Sequence, residues 1–194
     1  MARNDERRRL LADAAIEVLA REGARGLTHR AVDRAADVPQ GTSSNYFASR
    51  ADLIAGLVDR IGERLGPTPD DLAERAGEPP SRALFADYLR DIVRRLTGER
   101  DVTLALFELR LESTRRPEVA AVLREWQRTA FAADVGFNTA AGLPGGAREI
   151  AAFHYAIDGL VLDRLTTPID PDTSTDEVID ALVAGLLPAP AASG

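Results

Sequence analysis

The side chains best placed to do chemistry in this chain form one short run, Gln40-Gly41-Thr42-Ser43-Ser44-Asn45-Tyr46. It is dense in groups that both donate and accept hydrogen bonds, and no large aliphatic interrupts it. Such a run suits recognition of hydrogen-bonding edges and phosphates, not bond cleavage. The residues that catalysis usually recruits are scarce. Cys is absent and there are only two His, His29 and His154. Thiol chemistry, thiolate metal sites and a histidine-rich metal centre are therefore excluded. No nucleophile–base set or phosphate loop is present, so an enzyme is not expected, and neither a metal nor a cofactor.

Positioning that run requires rigid elements on either side. Between Gly26 and Asp52 the chain reads GLTHRAVDRAADVPQGTSSNYFASRAD. Thr28 is a natural N-cap for a short helix carrying Ala31, Val32 and Ala35 inward. The turn Ala36-Asp37-Val38 leads to a second short helix expected to begin near Pro39 or Gln40. Small apolar residues at 31, 32, 35 and 38 let the two helices cross closely. The pair reads as a helix-turn-helix, whose second helix can enter a DNA major groove about 12 Å wide. Gly41 permits close approach to a backbone, and Phe47 is the expected internal anchor.

The rest of the chain is helical in pattern. One stripe of the first segment, Arg7 to Glu22, holds Leu10, Leu11, Ala14, Ala15, Val18 and Leu19, and Gly23 suits its end. Ser49 through Asp52 matches a capping box for a helix reaching Leu65. A Pro- and Gly-rich connection, 66–80, includes one short helical turn near 70–76. Helices are then expected at 81–96, 101–114, 117–140, 147–165 and 175–187, with a frayed tail, PAPAASG. No strand pattern is present, so the expected fold is all-α.

Charge and length sharpen this. The 194 residues carry a net charge of −7, which argues against a general nucleic-acid coat. Residues 1–50 nevertheless hold nine Arg against seven acids, and the acidic excess lies beyond them. No apolar run approaches the ~20 residues of a membrane helix, and the polar start does not read as a signal peptide. A soluble, cytoplasmic protein without membrane contact is expected.

The stretch from Arg9 to about Ile61 resembles the DNA-binding domain of the TetR family of bacterial transcriptional regulators. The residues that carry the likeness are Ala14, Ala15 and Leu19, then Gly23, Leu27 and Thr28. The Val32–Val38 core, Gly41-Thr42, Tyr46-Phe47, and Ser49, Arg50 and Leu53 complete it. The usual turn Gly is here Asp37, and Ser44 replaces a frequent aromatic. The resemblance implies a DNA-binding domain over 1–50 and a helical ligand-binding and dimerisation domain over 51–190. It implies phosphate contacts from Thr28, Thr42, Tyr46 and Arg50, and base or mixed contacts from Arg30, Gln40, Ser43 and Ser44. Gly41 and Asn45 belong to the same DNA-binding surface.

It also implies a homodimer on a palindromic double-stranded operator, most simply a repressor released by a small-molecule inducer of unknown identity. A ligand-independent architectural or partner-binding DNA protein of the same fold is the alternative. Eight of the ten aromatics lie between Phe85 and Tyr155, and polar groups sit at helical spacing beside them. The candidate ligand residues are Tyr88, Phe107, Glu108, Leu111, Trp126, Phe153, His154 and Asp158. The last two helices offer small, apolar faces at Ala152, Ala156, Gly159 and Leu160, and at Ile179, Leu182, Val183 and Leu186. Those faces suit a dimer interface or burial within one subunit.

Overall fold

The computed structural model describes residues 2–188, so the tail from 189 onward lies outside the described residues. Ten α-helices follow one another, and among the described residues no strand is present. They are α1 (Ala2–Gly26), α2 (His29–Ala35), α3 (Thr42–Tyr46), α4 (Arg50–Leu65), α5 (Pro69–Glu74), α6 (Arg82–Gly98), α7 (Arg100–Ser113), α8 (Pro117–Ala140), α9 (Ala147–Leu165) and α10 (Thr175–Leu186). The all-α expectation holds, and α8 and α9 span the ranges their periodicity predicts.

The helices sort into two compact units. The chain up to Gly66 forms one with Glu99–Arg128, and Pro67–Gly98 forms the other with the segment from Thr129 onward. In the first unit, α1 packs against α2, α4 and α7. Leu11, Ala15, Leu19, Leu27, Val32 and Phe47 are completely buried there, together with Leu57 and Ile61 of α4. The expected stripe on α1 is inward except for Leu10, which is 42% exposed. Ile16, outside that stripe, is buried at 1% exposure. The correction reflects where the α1 neighbours sit, which periodicity along one helix does not encode.

Backbone detail departs from expectation at two ends. The chain leaves helical geometry at Gly23 (φ 68, ψ −178), as expected, but turns helically again as far as Gly26. The helix after the turn begins at Thr42, not at Pro39 or Gln40. Gly41 stands at φ 92, a left-handed conformation that a residue with a Cβ rarely adopts. The helix therefore cannot run back through it.

In the second unit α6, α9 and α10 pack together. Phe85 meets Phe153 with ring centroids 4.9 Å apart, and Tyr88 meets Phe137 edge-on at 5.2 Å. Arg82, at the start of α6, donates to the carbonyls of Val183 and Pro188, both at 2.6 Å. It thereby supplies the donors that the last turn of α10 lacks.

Candidate nucleic-acid interface

The helix-turn-helix is built from its caps outward. Thr28 caps α2 by accepting from the amide of Ala31 at 3.1 Å. Asp37 takes the turn at φ 50, the one non-glycine residue with positive φ among the described residues. Asp tolerates that conformation better than most side chains, so it serves in place of the usual Gly.

The α3 helix has no side chain of its own at its N-cap, since Gly41 occupies it. Asp33 does the work from α2. Its two carboxylate oxygens accept from the amides of Gly41 and Ser43, each at 2.7 Å. Burial to 2% exposure pushes this carboxyl up. The hydrogen bonds from Ser43 and Gly41, with the nearby His29, outweigh burial and hold it below its ordinary value of 3.8. The Ser43 hydroxyl donates to the carbonyl of His29 at 3.0 Å, and His29 Nε2 donates to the carbonyl of Phe47 at 2.9 Å. Phe47 lies in the core against Gly56, where a Cβ would collide with its ring. The Arg8 guanidinium covers the same ring at 4.5 Å and donates to the carbonyl of Tyr46.

This framework decides which expected DNA-binding residues face outward. Thr28, Arg30, Gln40, Ser44 and Asn45 are exposed. Gly41, Thr42 and Tyr46 are half-buried, and Tyr46 packs on the core. Two expectations are corrected. Ser43 is completely buried and spends its amide and hydroxyl on Asp33 and His29, so it does not face a groove. Arg50 was expected on a phosphate. Its guanidinium instead donates to the carbonyls of Leu27 and Ala24, the latter at 2.8 Å, and ties the start of α4 to the end of α1. Asp33 is the functional residue that sequence reasoning missed. The available signal was a carboxylate set before a cap position that lacks a side chain.

The candidate ligand residues fall into both units. Phe107, Glu108, Leu111 and Trp126 belong to the first unit, and Tyr88, Phe153, His154 and Asp158 to the second. Leu111 is 57% exposed, and Phe153 is buried against Phe85. Trp126 has its indole nitrogen 2.9 Å from where a Cβ at Gly62 would stand. His154 is exposed and pairs with Asp134 at 3.0 Å. Glu108 does line a hollow, of about 700 Å3, which lies wholly within the first unit.

On the last two helices, Ile179 and Val183 are buried within the second unit, which answers the question for those two positions. Tyr155 and Leu162 are exposed on α9, at 76% and 44%. Gly159 is exposed between them.

The fold and the outward polar face together define a protein that reads DNA with a helix-turn-helix. The description "Bacterial regulatory proteins, tetR family" fits residues 11–57, and "Tetracyclin repressor-like, C-terminal domain" fits residues 80–189. The chain belongs to the TetR family of bacterial regulators.

Its relatives agree. The HTH-type transcriptional repressor KstR of Mycolicibacterium smegmatis is 34% identical over 80 residues, 41% of this chain and 39% of KstR. The match thus spans about two-fifths of that relative's length. The multidrug binding protein EbrR in complex with imidazole superposes with a TM-score of 0.70 at 29% identity, covering 97% of this chain and 98% of EbrR. EbrR is also known in complex with ethidium, proflavin and malachite green. A TetR-family member from Streptomyces coelicolor A3 gives a TM-score of 0.67 at 29% identity, over 94% of this chain and 99% of that one. Among the described residues, no helix is long and apolar enough to cross a membrane.

Proposed function

We propose that the chain is a homodimeric cytoplasmic repressor, a regulator and not a catalyst, that reads a palindromic operator and leaves it when a small molecule binds. The observation that carries this reading is the division of labour on α2 and α3. Asp33, Ser43 and Phe47 are turned inward and fix α3, while Arg30, Gln40, Ser44 and Asn45 stand outward as an unobstructed polar face. In this reading Thr28 meets a phosphate, and Gln40 and Ser44 meet base edges. Two such faces, one per subunit, would read half-sites about 34–36 Å apart or a multiple of that.

Selection of bound duplex from a random pool tests the assignment. A palindromic consensus is expected, with log affinity falling linearly in log salt as phosphate counterions are released. Recovery of no preferred sequence would sink it.

Dimerisation is assigned to α9 and α10, through Tyr155, Gly159 and Leu162. A Cβ at Gly159 meets nothing within 4 Å inside the subunit. Gly159→Leu should therefore leave the fold intact, as a thermal melt would read, while shifting the protein to monomer in light scattering and weakening operator binding. A dimer unaffected by Gly159→Leu would move the interface elsewhere.

The inducer is assigned as a hydrophobic small molecule, positively charged or rich in donors. The binding of aromatic cations such as ethidium and proflavin by EbrR supports this.

A further inference from the structure

The 700 Å3 hollow opens where α1 breaks at Gly23 and faces the last turns of α7. Ala24, Arg25, Glu108, Glu112 and Arg116 stand in its wall. These charges are not equivalent. Glu112 is held by Arg116 and lies 3.5 Å from Arg115, and Arg116 also reaches Glu118 at 3.7 Å. Glu108, one turn earlier on α7, is half-buried, and among the described residues no donor reaches its carboxylate. A carboxylate partly withdrawn from water without a partner is unfavourable and is relieved by a cation. It stands at the break in α1, with Oε2 3.8 Å from where a Cβ at Gly23 would lie.

Two other parts of the same wall belong to the Arg50 tie. The Ala24 carbonyl accepts from Arg50 at 2.8 Å. Glu112 feels the Arg50 charge as well, although the hydrogen bond from Arg116 is the main reason its carboxyl sits below the ordinary range. The hollow thus shares one wall residue, Ala24, with the pair of carbonyls that seat the guanidinium joining α4 to the end of α1.

We propose that this hollow is an effector site for a small organic cation with a planar amidinium or guanidinium head, seated on Glu108, whose binding loosens the hold of Arg50. A planar head of this kind matches a carboxylate through two parallel hydrogen bonds, and its further donors compete for the Ala24 carbonyl, one of the two that Arg50 uses. Occupancy shifts the end of α1 against the start of α4, and with it the seating of α2 and α3. Only the consequence for DNA rests on the regulator reading, since binding of the cation does not.

Benzamidine is the probe, benzoate its anionic counterpart, and calorimetry on the DNA-free full chain the first readout. Wild type should bind benzamidine and not benzoate. Glu108→Gln, with an unchanged thermal melt, should bind benzamidine about tenfold or more weakly, as expected for a lost charge-assisted pair. Glu74→Gln removes the same charge from an exposed position in the other unit and should bind like wild type. On a duplex recovered from the random pool, benzamidine should weaken wild-type binding and leave Glu108→Gln unaffected. By linkage the duplex should weaken benzamidine binding by the same factor. Equal binding by wild type and Glu108→Gln, equal binding of benzoate, or no benzamidine binding to wild type would overturn the site. Binding through Glu108 with unchanged DNA affinity would overturn the coupling. Failure to select any duplex would overturn the regulator reading, while calorimetry still decides the site.

Discussion

The two compact units hold themselves together by different means. Among the described residues, eleven of the twelve largest fully buried side chains belong to the unit that carries the helix-turn-helix, and Ile179 alone to the other. The first unit fixes α3 through a completely buried Phe47, whose ring leaves no room for a Cβ at Gly56, and through the amides of Gly41 and Ser43 committed to Asp33. The second encloses fewer large side chains completely and, like the first at Asp13, Arg60 and Arg64, is tied at its margin by ion pairs. Arg75 pairs with Asp91 at 3.0 Å, Arg90 with Asp87 and Asp180, and Arg82 holds the end of α10. Close-packed apolar interiors have few alternative arrangements, whereas exposed ion pairs rearrange at small cost. Reading a groove demands the first property.

The largest effect expected from breaking this contrast is at Phe47. Phe47→Ala empties a fully enclosed site and should cost about 3–5 kcal/mol in chemical denaturation. A loss near zero would mean that the first unit is not tightly packed there. Next is Asp33→Ala, which strands the amides of Gly41 and Ser43 at about 1–3 kcal/mol for each orphaned donor and weakens operator binding. The sign of its pH dependence follows from the lowered carboxyl. The stabilisation from Asp33 is present above the unfolded-state value and disappears as the pH falls through the lower folded-state value. Acid titration should therefore show the wild type converging on Asp33→Ala only at pH below 3.8. Convergence already at neutral pH would remove the charge from the argument.

Smaller still, Gln40→Ala and Ser44→Ala should each cost about 1–3 kcal/mol per lost base contact and relax preference at particular base pairs, leaving the thermal melt in place. A changed melt with unchanged sequence preference would show these residues to be structural. The smallest effect sharpens the other side of the comparison. Arg90→Gln in the second unit should cost no more than about 1 kcal/mol and lose its effect in high salt, because the side chains it pairs with are largely exposed.

What the sequence made legible follows from the range over which each interaction acts. The spans of α8 and α9, the caps Thr28 and Ser49, and the inward turn of Phe47 depend on residues a few positions apart. The errors come from distant partners. Asp33 reaches amides eight and ten residues away across a turn. Arg50 finds carbonyls 23 and 26 residues back along the chain. Ser43 faces inward because α2 offers it the His29 carbonyl, which its own polarity does not reveal. The candidate ligand residues were grouped by spacing along helices, and spacing does not say which helices pack together. The indole of Trp126 lies against Gly62, a neighbour that its spacing along α8 does not reveal.

The inward placement of Asp33, Ser43 and Phe47 also bears on how such a protein can change its target. The positions that hold α3 and the positions that face outward are different residues, so the two tasks are separable by substitution. Gln40, Ser44 and Asn45 can be exchanged for other polar side chains without disturbing a single buried hydrogen bond of the helix-turn-helix. A library randomised at those three positions alone should stay folded in most of its members while varying widely in the operators it prefers. The scaffold acts as a socket into which new sequence preferences can be fitted, with Asp33 as the latch.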